Sequence, residues 1–181
     1  MAMMDLVAKL SPSFRDDPIP DQAGRIDAFQ RMFYSPLPED YADFLRENGH
    51  AMFFADNRVL VPDGPKPVDV RLNSLYGVDD HRTTLVTANR MYRGRLPPGL
   101  IAIGDSGGGG DLICLDVAGL VPGTVYHWNH EREVDASGVR QSDYANMTRL
   151  AGSFTELLDR TSPVPETPAE RPRIKKATLK F

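Results

Sequence analysis

The stretch from Leu100 to Asp116, LIAIGDSGGGGDLICLD, limits the possible folds more than any other part of this 181-residue chain. Two apolar runs, 100–103 and 112–115, flank Gly104, Asp105, Ser106 and the four consecutive glycines of 107–110. Apolar runs this short, bounded by Gly and Asp, have the length of strands buried on at least one face. Four glycines in a row cannot extend a strand cheaply, but they adopt positive φ and let another backbone approach closely. The expected unit is a hairpin: a strand, a tight acidic glycine loop, and a strand running back. A β-branched residue at Gly109 or Gly110 is expected to be unfavourable, because positive φ suits glycine.

The remaining composition is that of one ordinary domain with an extension. Apolar residues make up 41% and charged residues 25%, enough for a proper core at this length. No apolar run approaches the roughly 20 residues of a membrane span. The first residues, MAMMDLVAKLSPSF, lack the charged and apolar regions of a secretory signal. The single cysteine, Cys114, excludes an internal disulfide and any cluster of several thiolates. A cytoplasmic protein is the expectation. The net charge of −4 is unevenly spread: five basic against two acidic residues give 162–181 a charge of +3, leaving −7 on 1–161. An acidic body disfavours nucleic acid, whose phosphates need a basic face. It suits a basic protein partner through complementary steering.

Along the chain, 5–10 reads as a short helical piece, interrupted by Pro12, Pro18 and Pro20. Asp21 caps an expected helix over 22–33, with Ile26, Phe29, Met32 and Phe33 on one face. Pro38, Glu39 and Asp40 open a third helix whose apolar stripe is Tyr41, Phe44 and Leu45, ended by Asn48-Gly49. Residues 52–54 and 58–61 read as two short strands joined by a turn at Ala55-Asp56-Asn57. A loop at 62–67, a strand within 68–78 and a helix over 81–92 follow. A strand over 124–128 leads into polar turns at 129–132 and 135–138. The spacing of Phe154, Leu157 and Leu158 predicts a closing helix over 150–158. Beyond it Pro163, Pro165, Pro168 and Pro172 alternate with polar and then basic residues, the composition of an extended tail. Residues 177–181 have the character of an edge strand. The expected division is one domain over 1–161 and a Pro-rich basic tail over 162–181.

Several residues invite a chemical reading. A phosphate loop needs Lys and then Ser or Thr after its last glycine, but Asp111 stands there, and Asp105 and Asp111 would repel an anion. Asp105, Asp111 and Asp116 offer hard oxygens of the kind calcium takes, but without EF-hand spacing; a glycine turn capped by aspartates is the favoured reading. The segment His127-Trp128-Asn129-His130-Glu131 lacks the helical HExxH arrangement. If it stays extended, His127 and His130 point to opposite faces. Trp128 is then a core or interface anchor, with Asn129, His130 and Glu131 exposed on the turn. Cys114, in an apolar strand, is hidden and poorly ionised, so it is a poor nucleophile. No catalytic pair, metal-ligand set or cofactor is expected.

Several stretches, taken in order, resemble the SUKH superfamily, the Smi/Knr-like immunity and regulatory domain. They are the helix Leu37-Pro38-Glu39-Asp40-Tyr41-Ala42-Asp43-Phe44-Leu45 ending in Asn48-Gly49, and the turn Ile103-Gly104-Asp105 running through Gly109-Gly110-Asp111. They continue with LICLD at 112–116, with Val125-Tyr126-His127-Trp128-Asn129-His130-Glu131, and with Gly152-Ser153-Phe154 opening the last helix. The resemblance implies an α+β domain, a mostly antiparallel central sheet with helices packed against it. It also implies a non-enzymatic, protein-binding role. Bacterial members are typically immunity proteins that neutralise a toxin delivered between competing cells, often a nuclease or another basic effector. Regulatory or scaffolding modules of the same fold are the alternative. Such an inhibitor buries roughly 800 Å² per partner and relies on a few anchors. The candidate partner contacts are Asp105, Asp111, Asp116, Trp128, His130 and Glu131.

Overall fold

The expected hairpin forms the middle of an eight-stranded antiparallel sheet. A computed structural model describes residues 3–10, 12–13, 19–33, 35–47, 51–61, 68–79, 84–107, 109–134 and 144–164. The chain runs α1 (Met3–Ala8), β1 (Pro12–Ser13), α2 (Gln22–Phe33), α3 (Glu39–Glu47), β2 (Ala51–Val61), β3 (Val68–Leu75) and α4 (Leu85–Met91). It continues through β4 (Leu100–Asp105), β5 (Leu112–Asp116), β6 (Val125–Trp128), β7 (Met147–Ala151), α5 (Phe154–Arg160) and β8 (Thr161–Pro163). Short 3-10 turns occupy His130–Arg132 and Tyr144–Asn146. The strands β1 to β7 lie side by side in chain order, and β8 returns to β2. The sheet curls until β2 and β7 meet, and α5 packs on both. The fold is α+β, as the resemblance implied.

Every residue of β5 is buried. Successive side chains of a strand point to opposite faces, so both faces of β5 are covered, and an unbroken apolar run replaces the usual alternation. Each fully buried Leu or Ile contributes about 1.5–3 kcal/mol. Tyr41 and Phe44 of α3 meet Phe154 of α5 with ring centroids 5.0 and 5.3 Å apart. The Tyr41 hydroxyl donates to the Tyr76 carbonyl at 3.3 Å, and burial pushes its phenol well above the usual range.

The helix over 22–33 and the third helix stand where the spacing placed them, with Ile26, Phe29, Tyr41, Phe44 and Leu45 buried. Two expectations fail for physical reasons. The turn at Ala55-Asp56-Asn57 is an irregularity inside one continuous strand, β2, whose register against β3 shifts between Met52 and Asn57. Its polar residues tie neighbours together: Asn57, buried, donates to the Leu10 carbonyl, and Asp56 pairs with Arg58 and Arg71 at 2.9 and 3.3 Å. The closing helix begins at Phe154, not Leu150, because Ser153 accepts from the Glu156 N–H as its cap while 147–151 form β7. The helix within 81–92 is α4, opened by reciprocal hydrogen bonds between Thr84 and Thr87. The helix end at Asn48-Gly49, the loop at 62–67, the turn at 135–138 and the edge strand at 177–181 lie outside the described residues.

At the expected start of the tail, Ser162 and Pro163 still pair with Arg58 and Asn57 of β2, and the Val164 N–H donates to the Asp56 carbonyl at 2.8 Å. A chain cut after Val164 should therefore melt with the full-length protein. A cut after Arg160 removes the bonds of Thr161 to the Leu157 and Leu158 carbonyls, that of Val164 to Asp56 and the β8–β2 pairing, and should cost about 2–5 kcal/mol at roughly 0.5–1.5 kcal/mol per bond. Thermal denaturation of the two truncations distinguishes these outcomes; equal losses would place structural contacts in 165–181.

Candidate interaction site

Asp111 precedes β5, and β6 returns beside that strand with Ile113 opposite His127 and Leu112 opposite Trp128. This register brings His127 to the carboxylate. The strand then stops at Trp128. Asn129 caps the 3-10 turn, accepting from the Arg132 N–H at 3.2 Å, and it is held from behind by Asn146, whose side chain donates to the Asn129 carbonyl at 3.0 Å. The turn swings His130 to the same carboxylate that His127 reaches, where continued extension would have sent the rings to opposite faces. Asp111 Oδ1 accepts from the His130 N–H at 2.9 Å and from His130 Nδ1 at 2.7 Å, and Oδ2 lies 3.2 Å from His127 Nε2.

Burial pushes the Asp111 carboxyl up, but the His130 ring and backbone hydrogen bonds, with attraction to both imidazoles, outweigh it and hold the group below its usual range. Burial is also the main influence on His127 and keeps its pKa below the ordinary imidazole value despite the neighbouring carboxylate. His127 is accordingly neutral near pH 7 and donates from Nε2. Ser106 Oγ lies 3.2 Å from that same nitrogen. A Ser–His–Asp relay needs the carboxylate on one ring nitrogen and the hydroxyl on the other. Here both share Nε2, so the cluster orients a loop and does not set up a relay.

The remaining candidates separate. Asp105 ties the glycine turn to β3: its carboxylate accepts from Asn73 at 2.8 Å, from the Gly107 N–H at 3.0 Å and from the Ser74 hydroxyl. Asp116 and Trp128 are corrected as partner contacts, because both are fully buried. Asp116 sits at the other end of β5, roughly 16 Å from Asp111 at the usual rise per strand residue. Its carboxylate accepts from the N–H groups of Gly119 and Val121 at 2.5 and 2.9 Å. Trp128 packs edge-on to Tyr92, with the Arg95 guanidinium 5.4 Å from its ring. Arg95 is in turn held by Glu133 through contacts of 3.0 and 2.6 Å. At the surface of this cluster Gly109, Glu131 and Arg132 are exposed, and His130 and Asp111 are half-buried.

Ser106 and His127 escaped the sequence reading as members of this site. The available signal was Asn129, a capping residue that ends the strand and its period-two geometry. Nothing local announces the Arg95–Glu133 pair, whose partners are far apart in the chain. Among the described residues no group of three or more His, Cys, Asp or Glu side chains is placed to hold a metal, and no helix is long and apolar enough to cross a membrane.

The model of the SMI1 / KNR4 family (SUKH-1) matches residues 22–160. The chain belongs to this family. It is a family of immunity and regulatory domains. The match begins with α2 and ends with α5, so the central hairpin and the Asp111 cluster lie inside the SUKH-1 region, and α1, β1 and β8 outside it. No curated protein matches the chain.

Two outcomes follow from the geometry. Gly109 and Gly110 stand at φ of +107° and +127°, and a Cβ on Gly110 would touch the His130 ring at 3.4 Å. Gly110→Val should cost about 2 kcal/mol in strain, read by urea denaturation. As pH falls below the ordinary imidazole pKa, unfolded His127 takes up a proton that the folded residue resists. Its contribution to stability is thus full above that value and falls as pH drops towards the lower folded pKa. Asp111, lowered in the fold, adds a second loss below the usual carboxylate range. His127→Gln should flatten the first slope and leave the second, which urea titrations at about pH 7.5, 5.5 and 3.5 would test.

Proposed function

We propose that this SUKH-1 domain is an immunity protein that neutralises a cognate toxin by direct protein contact in the cytoplasm, with no catalytic step of its own. The observation that carries this reading is the locked Asp111–His127–His130 cluster, whose hydrogen bonds fix a loop rather than align a nucleophile. A loop ordered in advance loses little conformational entropy on docking. Glu131 stands exposed at its tip, beside half-buried His130. The body of 1–161 carries −7, which favours a basic toxin, such as a nuclease, through steering and through carboxylates entering a basic cleft. Membership of a family of immunity and regulatory domains supports the same reading.

The test is capture of the partner from native lysate, followed by co-expression. A toxic basic protein, bound at nanomolar strength and silenced by this chain, is the expected result. His130→Ala with Glu131→Ala should then weaken binding about tenfold or more without moving the melting temperature, as for contacts near the centre of an interface. A partner with no toxicity would instead assign the domain to regulation or scaffolding.

A further inference from the structure

Two adjoining grooves of about 390 and 610 Å³ meet at Met32 of α2, and the larger lies at the opposite end of β4 and β5 from the Asp111 cluster, beside the segment joining α4 to β4. The larger part, about 610 Å³, has Met32 and Phe33 of α2, with Tyr92 and Leu96, in its walls. Met32 also lines the smaller part, between α2 and α4, and is 41% exposed. Large apolar side chains gathered around a concave surface mark a place that a partner covers.

The groove is built before any partner arrives. Buried Asn89 fixes its floor: Nδ2 donates to the Leu85 and Ala102 carbonyls and Oδ1 accepts from the Ala102 N–H, each at 2.8 Å. One amide side chain thus bonds β4 as a neighbouring strand would. At the far end the N–H groups of Val117 and Ala118 donate to the Gly99 carbonyl at 2.8 and 3.0 Å. The buried Asp116 carboxylate then secures the following loop, which presents Leu120 and Val121 at 73% and 56% exposure.

The charge of the larger part is the reverse of the body's. Arg90 and Arg93 line it and no carboxylate does, while the smaller part carries one group of each sign, Arg25 and Asp79. Among the described residues neither of the Arg90 and Arg93 guanidinium groups has an ion-pair partner, whereas Arg46, Arg58 and Arg160 are each paired with a carboxylate. Two unpaired cations in an apolar groove, on a body of −7, complement an anionic occupant. They would repel the basic residues of 171–180, so the chain's own tail is a poor fit.

We propose that the larger part of this groove docks an acidic segment of a partner protein, with its carboxylates on Arg90 and Arg93 and its large apolar side chains between Met32, Phe33, Tyr92 and Leu96. The inference is independent of the toxin reading, since it concerns a separate face. A fluorescein-labelled peptide of about ten residues, alternating Glu with Leu and Phe, is the probe, with a matched peptide carrying Lys for Glu. In fluorescence anisotropy the Glu peptide should bind the full chain, more weakly as salt rises. Arg90→Glu with Arg93→Glu, and separately Met32→Glu, should weaken binding about tenfold or more, with melting curves confirming that the variants fold. Glu131→Ala should leave it unchanged. Absence of binding by the Glu peptide, equal binding of the Lys peptide, or binding that survives the Arg reversals would overturn the proposal. A dimer seen by sedimentation and abolished by the same variants would overturn it in favour of a second copy of the chain.

Discussion

The burial of β5 on both faces is the constraint from which much of the structure follows. A strand covered on each side has no room for polar side chains along its length, so the polar requirements of its ends must be met where the chain leaves the sheet. An unsatisfied buried backbone group costs on the order of 1–3 kcal/mol, comparable to the gain from burying a leucine. Carboxylates meet that need here. Asp105 gathers the Gly107 N–H with Asn73 and Ser74, Asp111 takes the His130 N–H, and Asp116 takes those of Gly119 and Val121. Their acidity is therefore first a property of the turns. Only at Asp111 do two imidazoles join the arrangement and bring it near the surface.

This explains what the sequence disclosed. The paired apolar runs and the glycines between them determine a hairpin because both signals are local: run length and positive φ. The stripe Tyr41, Phe44 and Leu45 is equally local, since side chains three and four apart share a helix face. Boundaries set by long-range partners were hidden. Asp56 and Asn57 have the composition of a turn, yet their side chains serve Arg58, Arg71 and Leu10 within one strand. The start of the last helix was legible from Ser153 and Glu156, a capping pattern, but periodicity alone drew Leu150 and Ala151 into it, although these residues face the core from β7. The site was half legible for the same reason. Its residue types stood out, while their convergence on Asp111 depends on where β6 stops.

Magnitudes also sort the charged contacts. Arg46 with Glu39 and Asp43 forms an exposed network whose side chains are 48%, 80% and 48% accessible, so screening leaves it worth little. Arg95 differs. Its partner Glu133 is only 8% exposed, two guanidinium nitrogens engage that carboxylate, and the same group lies over Tyr92 and Trp128. Removing either partner would leave a desolvated charge or uncover the only tryptophan, so this pair fastens the α4–β4 segment to the turn after β6. It acts as a clasp.

The two candidate surfaces therefore sit at opposite ends of one rigid hairpin, with opposite local charge. Communication between them would require an element with two alternative arrangements that both ligands bias. The described residues of the hairpin offer no such element: its strands are buried along their length, Asn89 locks α4 to β4, and aspartates tie its ends. Two partners would then bind additively, each with its own affinity. A single partner reaching both ends would gain from proximity alone, because its second contact becomes intramolecular once the first is made. In such a scaffold specificity comes from the spacing and charge of two fixed surfaces, and stiffness is what makes that spacing readable.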